Sequence, residues 1–117
     1  MKLYRTKKLK FPRPPICIDF DGVIHAYRKG FDDGSIYDIP VKGAREAMAA
    51  LKKKYYVQVC SSRTRTRAGK VAVEAYLKKY KIPFDVVTSY KPPAKFYIDD
   101  RALRFENWKQ TLKAVDL

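Results

Sequence analysis

Residues 16–23 read Ile16-Cys17-Ile18-Asp19-Phe20-Asp21-Gly22-Val23: an apolar run, then two carboxylates two positions apart, then a glycine. A β-branched run predicts a buried strand, and acids at its end would emerge at the carboxyl edge of a sheet, where open α/β folds bind ligands. Alternate residues of a strand share a face, so Asp19 and Asp21 are expected side by side, their repulsion relieved by a divalent cation. Gly22 lets the chain turn sharply at that point.

Upstream of this strand, Pro12, Pro14 and Pro15 exclude a helix and deliver the chain extended into it. Downstream, residues 23–40 carry Gly30, Gly34 and the Asp32-Asp33-Gly34 turn signal, and read as a loop or short hairpin, a flap. Ala44, Ala47, Met48 and Leu51 recur at helical spacing and predict a helix over 41–54. Residues 55–60 are β-rich and run into the polar turn Ser61-Ser62-Arg63. Thr64 or Thr66 would cap a second helix, whose apolar face carries Ala72, Val73, Tyr76, Leu77 and Tyr80 until Pro83 ends it. Residues 84–88 and 96–98 read as a third and a fourth strand, separated by the rigid Lys91-Pro92-Pro93 loop. Asn107, with Gln110 three residues on, opens a last helix faced by Trp108, Leu112 and Val115 and expected to close the domain. The alternation predicts an α/β fold: a three-layer, Rossmann-like parallel sheet with helices on its faces.

The 117 residues suffice for one domain, divided here into a basic arm over 1–14 and a single unit over 15–117. No apolar stretch of about 18 residues and no hydrophobic leader is present, so neither a membrane span nor secretion is expected, and the chain reads as cytoplasmic. Cys17 and Cys60 each fall inside a predicted strand, where a free thiol behaves as a small buried hydrophobe, and no disulfide is predicted. Twenty-six Lys and Arg against twelve Asp and Glu give a net charge of +14, which favours phosphate-bearing partners. The excess gathers at Lys2, Arg5, Lys7, Lys8, Lys10 and Arg13, and again at Arg63, Arg65 and Arg67 directly after a strand end.

Strands that lead into helices end at one edge of a parallel sheet, so their terminal residues converge in space. Here those residues are Asp19 and Asp21, then Ser61, then Asp99 and Asp100, with Lys91 just before the last strand. Oxygen ligands suit Mg²⁺ and a lysine suits phosphate, so the set predicts a site for a hard cation and a phosphoryl group. In order and context, Asp19-Phe20-Asp21-Gly22-Val23, Ser61-Ser62-Arg63, Lys91-Pro92-Pro93-Ala94 and Ile98-Asp99-Asp100-Arg101 resemble the four motifs of the haloacid dehalogenase superfamily of phosphohydrolases.

That resemblance spans about residues 16–101 and implies a role for each matching position. Asp19 would be the nucleophile, forming an aspartyl-phosphate. The cation and the Lys91 ammonium would keep it ionised. Asp21 would protonate the leaving oxygen and then activate water. Mg²⁺ would be held by Asp19, the backbone carbonyl of Asp21, and Asp99, with Asp100 in support. Ser61 and Lys91 would meet the phosphoryl oxygens, with Ser62, Arg63 and the Gly22 backbone as further substrate contacts. The family usually adds a cap domain, and only the flap of 23–40 is available here, so the fold is expected to be capless. The triplets Ser61-Ser62-Arg63 and Asp99-Asp100-Arg101 are also similar to the phosphatase domains of polynucleotide kinases. They imply nucleotides or nucleic-acid terminal phosphates as substrates.

Other residues read differently. His25, alone in the flap, reads as a loop or packing residue and is left out of the site. Arg101 is either surface charge or a phosphate contact. Tyr27, Tyr37 and Tyr90 fall in loops near the sheet edge, where they could stack on a base. The competing function is a basic nucleic-acid- or phosphoprotein-binding protein on the same fold with little or no turnover. Binding alone, however, has no need of Asp19, Asp21, Lys91 and Asp99 together.

Overall fold

A computed structural model describes residues 4–6, 9–89 and 91–116; Lys2, Lys7, Lys8 and Tyr90 lie outside them. Strands β1 (Tyr4–Thr6) and β2 (Leu9–Phe11) pair antiparallel ahead of the main sheet. The chain then runs through β3 (Pro15–Asp19), α1 (Ala44–Lys54), β4 (Tyr56–Cys60), α2 (Arg67–Lys79), β5 (Val86–Thr88), β6 (Phe96–Ile98) and α3 (Trp108–Ala114). The four later strands form one parallel sheet in the order β5-β4-β3-β6. This is the α/β alternation expected, compatible with a Rossmann-like sheet.

The strand order positions the site. The chain steps outward from β3 to β4 to β5, then returns to lay β6 on the opposite side of β3. The residues that follow β3 and β6 are therefore neighbours at the carboxyl edge of the sheet, where open α/β folds bind ligands. Asp19 stands at the end of β3, and Asp99 and Asp100 directly follow β6.

The core lies on one face of the sheet. Ile16, Ile18, Val57, Val59 and Val87 alternate onto that face and pack with Met48 of α1 and Val73, Tyr76 and Leu77 of α2. Each such aliphatic side chain removed from water contributes about 1.5–3 kcal/mol. Both helices thus cover the same face, as right-handed crossovers between successive strands stepping in one direction require. Gly43 precedes α1 in the left-handed region (φ 84°), and Lys52, Lys53 and Lys54 in its last turn complement the helix dipole. Thr66, rather than Thr64, caps α2 by accepting from the Gly69 N–H at 3.0 Å.

The opposite face differs from the sequence expectation in two respects. First, Cys17 and Cys60 are joined in a disulfide, with Cα atoms 6.4 Å apart, where none was predicted. The register sets Cys17 against Gln58 and Cys60 against Asp19, so the two cysteines sit diagonally on one face of neighbouring strands. Their separation of 43 residues hides this in the sequence. Second, this face is covered by the loop of residues 91–95 rather than by a helix. Pro92 is buried, Gln58 donates to the Pro93 carbonyl, and the Tyr97 hydroxyl donates to the Pro92 carbonyl at 2.7 Å.

Nor does α3 close the domain. Asn107 caps it as expected, accepting from Gln110 N–H at 2.9 Å, yet Trp108, Leu112 and Val115 are exposed. Phe96 and Ile98 of β6, in register with Ile16 and Ile18, are exposed too. At the other end of the chain, the Phe11 ring lies 5.3 Å from that of Tyr56, and Arg13 pairs with Asp85 at 3.2 Å. No helix among the described residues is long and apolar enough to cross a membrane.

Candidate active site at the carboxyl edge of the sheet

Asp19, Asp99 and Asp100 converge as the four-strand topology requires, each offering a carboxylate oxygen within 4.8 Å of the others. Three hard anionic oxygens at that spacing fit the coordination sphere of one small divalent cation. Burial and the neighbouring Asp99 carboxylate, with smaller contributions from Asp100 and Asp21, push the Asp19 carboxyl up to about 6. The prediction that Lys91 would hold Asp19 ionised is therefore corrected. The Lys91 ammonium is spent on Asp99, at 3.0 Å from Oδ2. The Arg101 N–H and Lys91 together hold Asp99 below the usual carboxylate range.

Asp21 takes no part in this cluster, which corrects the expectation that it would share a face with Asp19. Strand β3 ends at Asp19, so the alternation that would align the two residues stops before Asp21. The Asp21 carboxylate instead accepts from Arg63 Nε (2.9 Å to Oδ2, 3.2 Å to Oδ1) and from His25 Nδ1 (2.7 Å to Oδ1). His25 is the functional-site neighbour that sequence reasoning missed. It is fully buried, with its ring stacked on Phe20 and edge-on to Tyr27, Tyr37 and Tyr76. Its Nε2 accepts from the Asp38 backbone N–H at 3.0 Å. A backbone N–H can only donate, so the proton of the neutral ring sits on Nδ1 and points at Asp21.

The flap is tied to the same network. Asp38 is buried and accepts from the Arg28 guanidinium at 2.6 and 2.9 Å and from the Arg28 N–H, bonds that hold its carboxyl far below the usual range. The Tyr76 hydroxyl donates to the Asp38 carbonyl at 3.0 Å, and burial pushes that phenol up. Arg63 also donates to the Gly34 carbonyl at 2.6 Å, so one side chain holds both Asp21 and the flap. The only sequence sign of the His25 role was its place four residues after Asp21.

Gly22 has a steric role here. Its φ of +87° excludes an ordinary side chain, and an added Cβ would fall against the Asp100 carboxylate. Its N–H donates to the His25 carbonyl at 2.8 Å, so that amide is committed within the turn rather than to substrate. Ser61 is buried at the end of β4 and accepts from the Arg63 N–H at 3.1 Å, starting a short 3₁₀ turn over Ser62–Arg65. Asp19, Asp21, Ser61, Ser62, Asp99, Asp100 and Arg101, with Tyr27, line a small polar pocket of about 230 Å³.

Of the residues read from sequence, the pocket thus brings together Asp19, Asp21, Ser61, Ser62, Asp99 and Asp100. Lys91 and Arg63 reach it through their carboxylate partners. Comparison with protein-family models, with curated proteins and with solved structures finds no match for this chain.

Proposed function

We propose that this chain is a Mg²⁺-dependent phosphomonoesterase of the haloacid dehalogenase type, capless, with the flap of residues 23–40 beside its site. The observation that carries the proposal is the convergence of Asp19, Asp99 and Asp100, from two strands 80 residues apart in sequence, on one cation-sized spacing beside a buried serine. Exposed acids cluster by chance on many surfaces, but Asp19 and Asp99 are half-buried, and burying like charges together costs free energy unless a counter-ion offsets it. Mg²⁺ would be held by Asp19 and Asp99 with Asp100 in support, and would supply charge neutralisation for the nucleophile and the transferring phosphoryl group.

In the proposed sequence an Asp19 carboxylate oxygen forms a bond to phosphorus as the bond from phosphorus to the ester oxygen breaks, leaving an aspartyl-phosphate. The leaving oxygen takes a proton from Asp21. A water then gives a proton back to Asp21 as its oxygen bonds to phosphorus, releasing inorganic phosphate and the Asp19 carboxylate. Oδ1 of Asp21 accepts from His25 and Arg63, which orients the group, while Oδ2, among the described residues, accepts from Arg63 alone and keeps a lone pair for the travelling proton. Ser61 Oγ accepts from Arg63 N–H and donates to no group among the described residues, so its own proton can point at a phosphoryl oxygen.

The test is phosphate release from p-nitrophenyl phosphate with and without Mg²⁺, repeated with Asp19→Asn. Release that depends on Mg²⁺ and vanishes in the variant supports the reading. Release indifferent to Asp19→Asn removes the nucleophile assignment, and no release from any phosphomonoester leaves the competing reading of a binding protein.

A further inference from the structure

A second, larger cleft opens directly beside the polar pocket. It encloses about 890 Å³ between the flap and α2, and Asp21, Tyr27 and Ser62 belong to both spaces. Its walls are largely apolar and aromatic, supplied by Tyr27, Phe31, Ile36 and Tyr76. We propose that this cleft is the leaving-group site, and that it takes the nucleoside of a single nucleoside monophosphate; the proposal rests on the phosphomonoesterase reading above.

Three observations lead there. Continuity comes first: the two spaces meet at Asp21, the residue proposed to protonate the ester oxygen, so a leaving group that passes Asp21 enters this cleft. Second, the volume falls within the range of small-molecule sites, whereas a phosphate alone needs only the smaller pocket. Third, aromatic side chains of the flap and of α2 line the cleft. Tyr27 adopts a left-handed backbone (φ 58°), uncommon for a non-glycine residue, and its ring lies 5.9 Å from the Arg63 guanidinium. Phe31 stands at the rim with 69% of its surface exposed, an apolar face that a second ring would cover.

The polar groups distinguish a base from a plain hydrocarbon ring. Ser35, Ser62, Thr66 and Lys79 interrupt the apolar lining, and the Thr66 hydroxyl, which accepts from Gly69 N–H, keeps its own proton to offer the edge of a nucleobase.

The experiment compares kcat/KM for adenosine 5′-monophosphate, glycerol phosphate and a 3′-phosphorylated oligonucleotide in the full chain with Mg²⁺, then repeats it with Ala72→Trp. Ala72 lines the cleft on α2 and takes no part in the polar pocket, and Ala75→Trp serves if the first variant does not fold. The mononucleotide is expected to exceed glycerol phosphate by about tenfold or more, and Ala72→Trp to lower that ratio by about tenfold through KM. An equal rate on the two, a ratio untouched by both tryptophan variants, or faster turnover of the oligonucleotide overturns the assignment. If no ester is hydrolysed at all, the phosphomonoesterase reading fails by itself, and the cleft is judged by equilibrium dialysis of adenosine. Binding weakened about tenfold by Ala72→Trp sustains a nucleoside site, and no binding at millimolar adenosine removes it.

Discussion

Asp19 and Asp21 stand two residues apart at one strand end, yet they sit in opposite electrostatic surroundings. Around Asp21 the protein supplies its own partners: Arg63, His25 and, behind them, Asp38 and Arg28 form a closed set of hydrogen bonds. Around Asp19 it gathers further carboxylates, and the nearby lysine is given to Asp99 instead. The first arrangement orients a side chain; the second stores repulsion that an external cation would relieve. A site that needs one group fixed and another paired with a metal is served by this division of charge between neighbours.

The difference can be broken from either side. The largest effect is expected from Asp19→Asn, which removes the attacking oxygen. Phosphate release should fall by at least about 10³-fold, whereas retained turnover would show that the two acids do not divide the work as described. Next, Arg63→Leu deletes the cation that holds both Asp21 and the Gly34 carbonyl. A loss in kcat/KM of about 10²-fold is expected in steady-state assays, with Mg²⁺ affinity little changed because the Asp19 cluster is untouched. A fall in Mg²⁺ affinity as large as the fall in rate would mean that the two halves are not separate.

His25→Phe sharpens the comparison further. The aromatic volume is nearly kept, but Asp21 Oδ1 loses a donor and the Asp38 N–H loses its acceptor. Destabilisation of about 1–3 kcal/mol in urea unfolding is expected, with a loss of about tenfold in kcat. Unchanged stability would return His25 to the role of a packing residue.

The smallest effect is a dependence of stability on pH. Asp19 lies at about 6 in the fold against 3.8 for the unfolded chain, so the folded state holds this proton more tightly. Its contribution is full below about pH 4 and is lost as pH rises through about 6. Asp99, held below the usual range, has the opposite sign and acts at lower pH. Thermal scans without metal should therefore show Tm falling by a few degrees across that window. The slope should flatten with Mg²⁺ or in Asp19→Asn, and a flat profile in the metal-free protein would remove the repulsion argument.

Legibility in the sequence follows the same division. The strand after the prolines, read at about 16–20 and found at 15–19, both crossover helices, the Asn107 cap and the acids after β3 and β6 were readable because each depends on periodicity, capping or turn chemistry within a few residues. The convergence of Asp19 with Asp99 and Asp100 followed from topology, since parallel strands with helical crossovers end at one edge. The pairing of Asp21 with His25 and Arg63 was not readable. It depends on how the chain bends after β3 stops, and a lone flap histidine carries no period.

By itself, then, the order of residues determined the α/β alternation, the polar strand ends and the basic excess, all of which come from local chemistry and simple counting. Only the folded arrangement decided that Cys17 meets Cys60, that α3 leaves Trp108 and Leu112 in solvent, and that the Asp19 carboxyl rises while Asp21 is clasped. Those outcomes turn on strand register and on a few ångströms between side chains remote in sequence, and such distances exist only once the sheet is assembled.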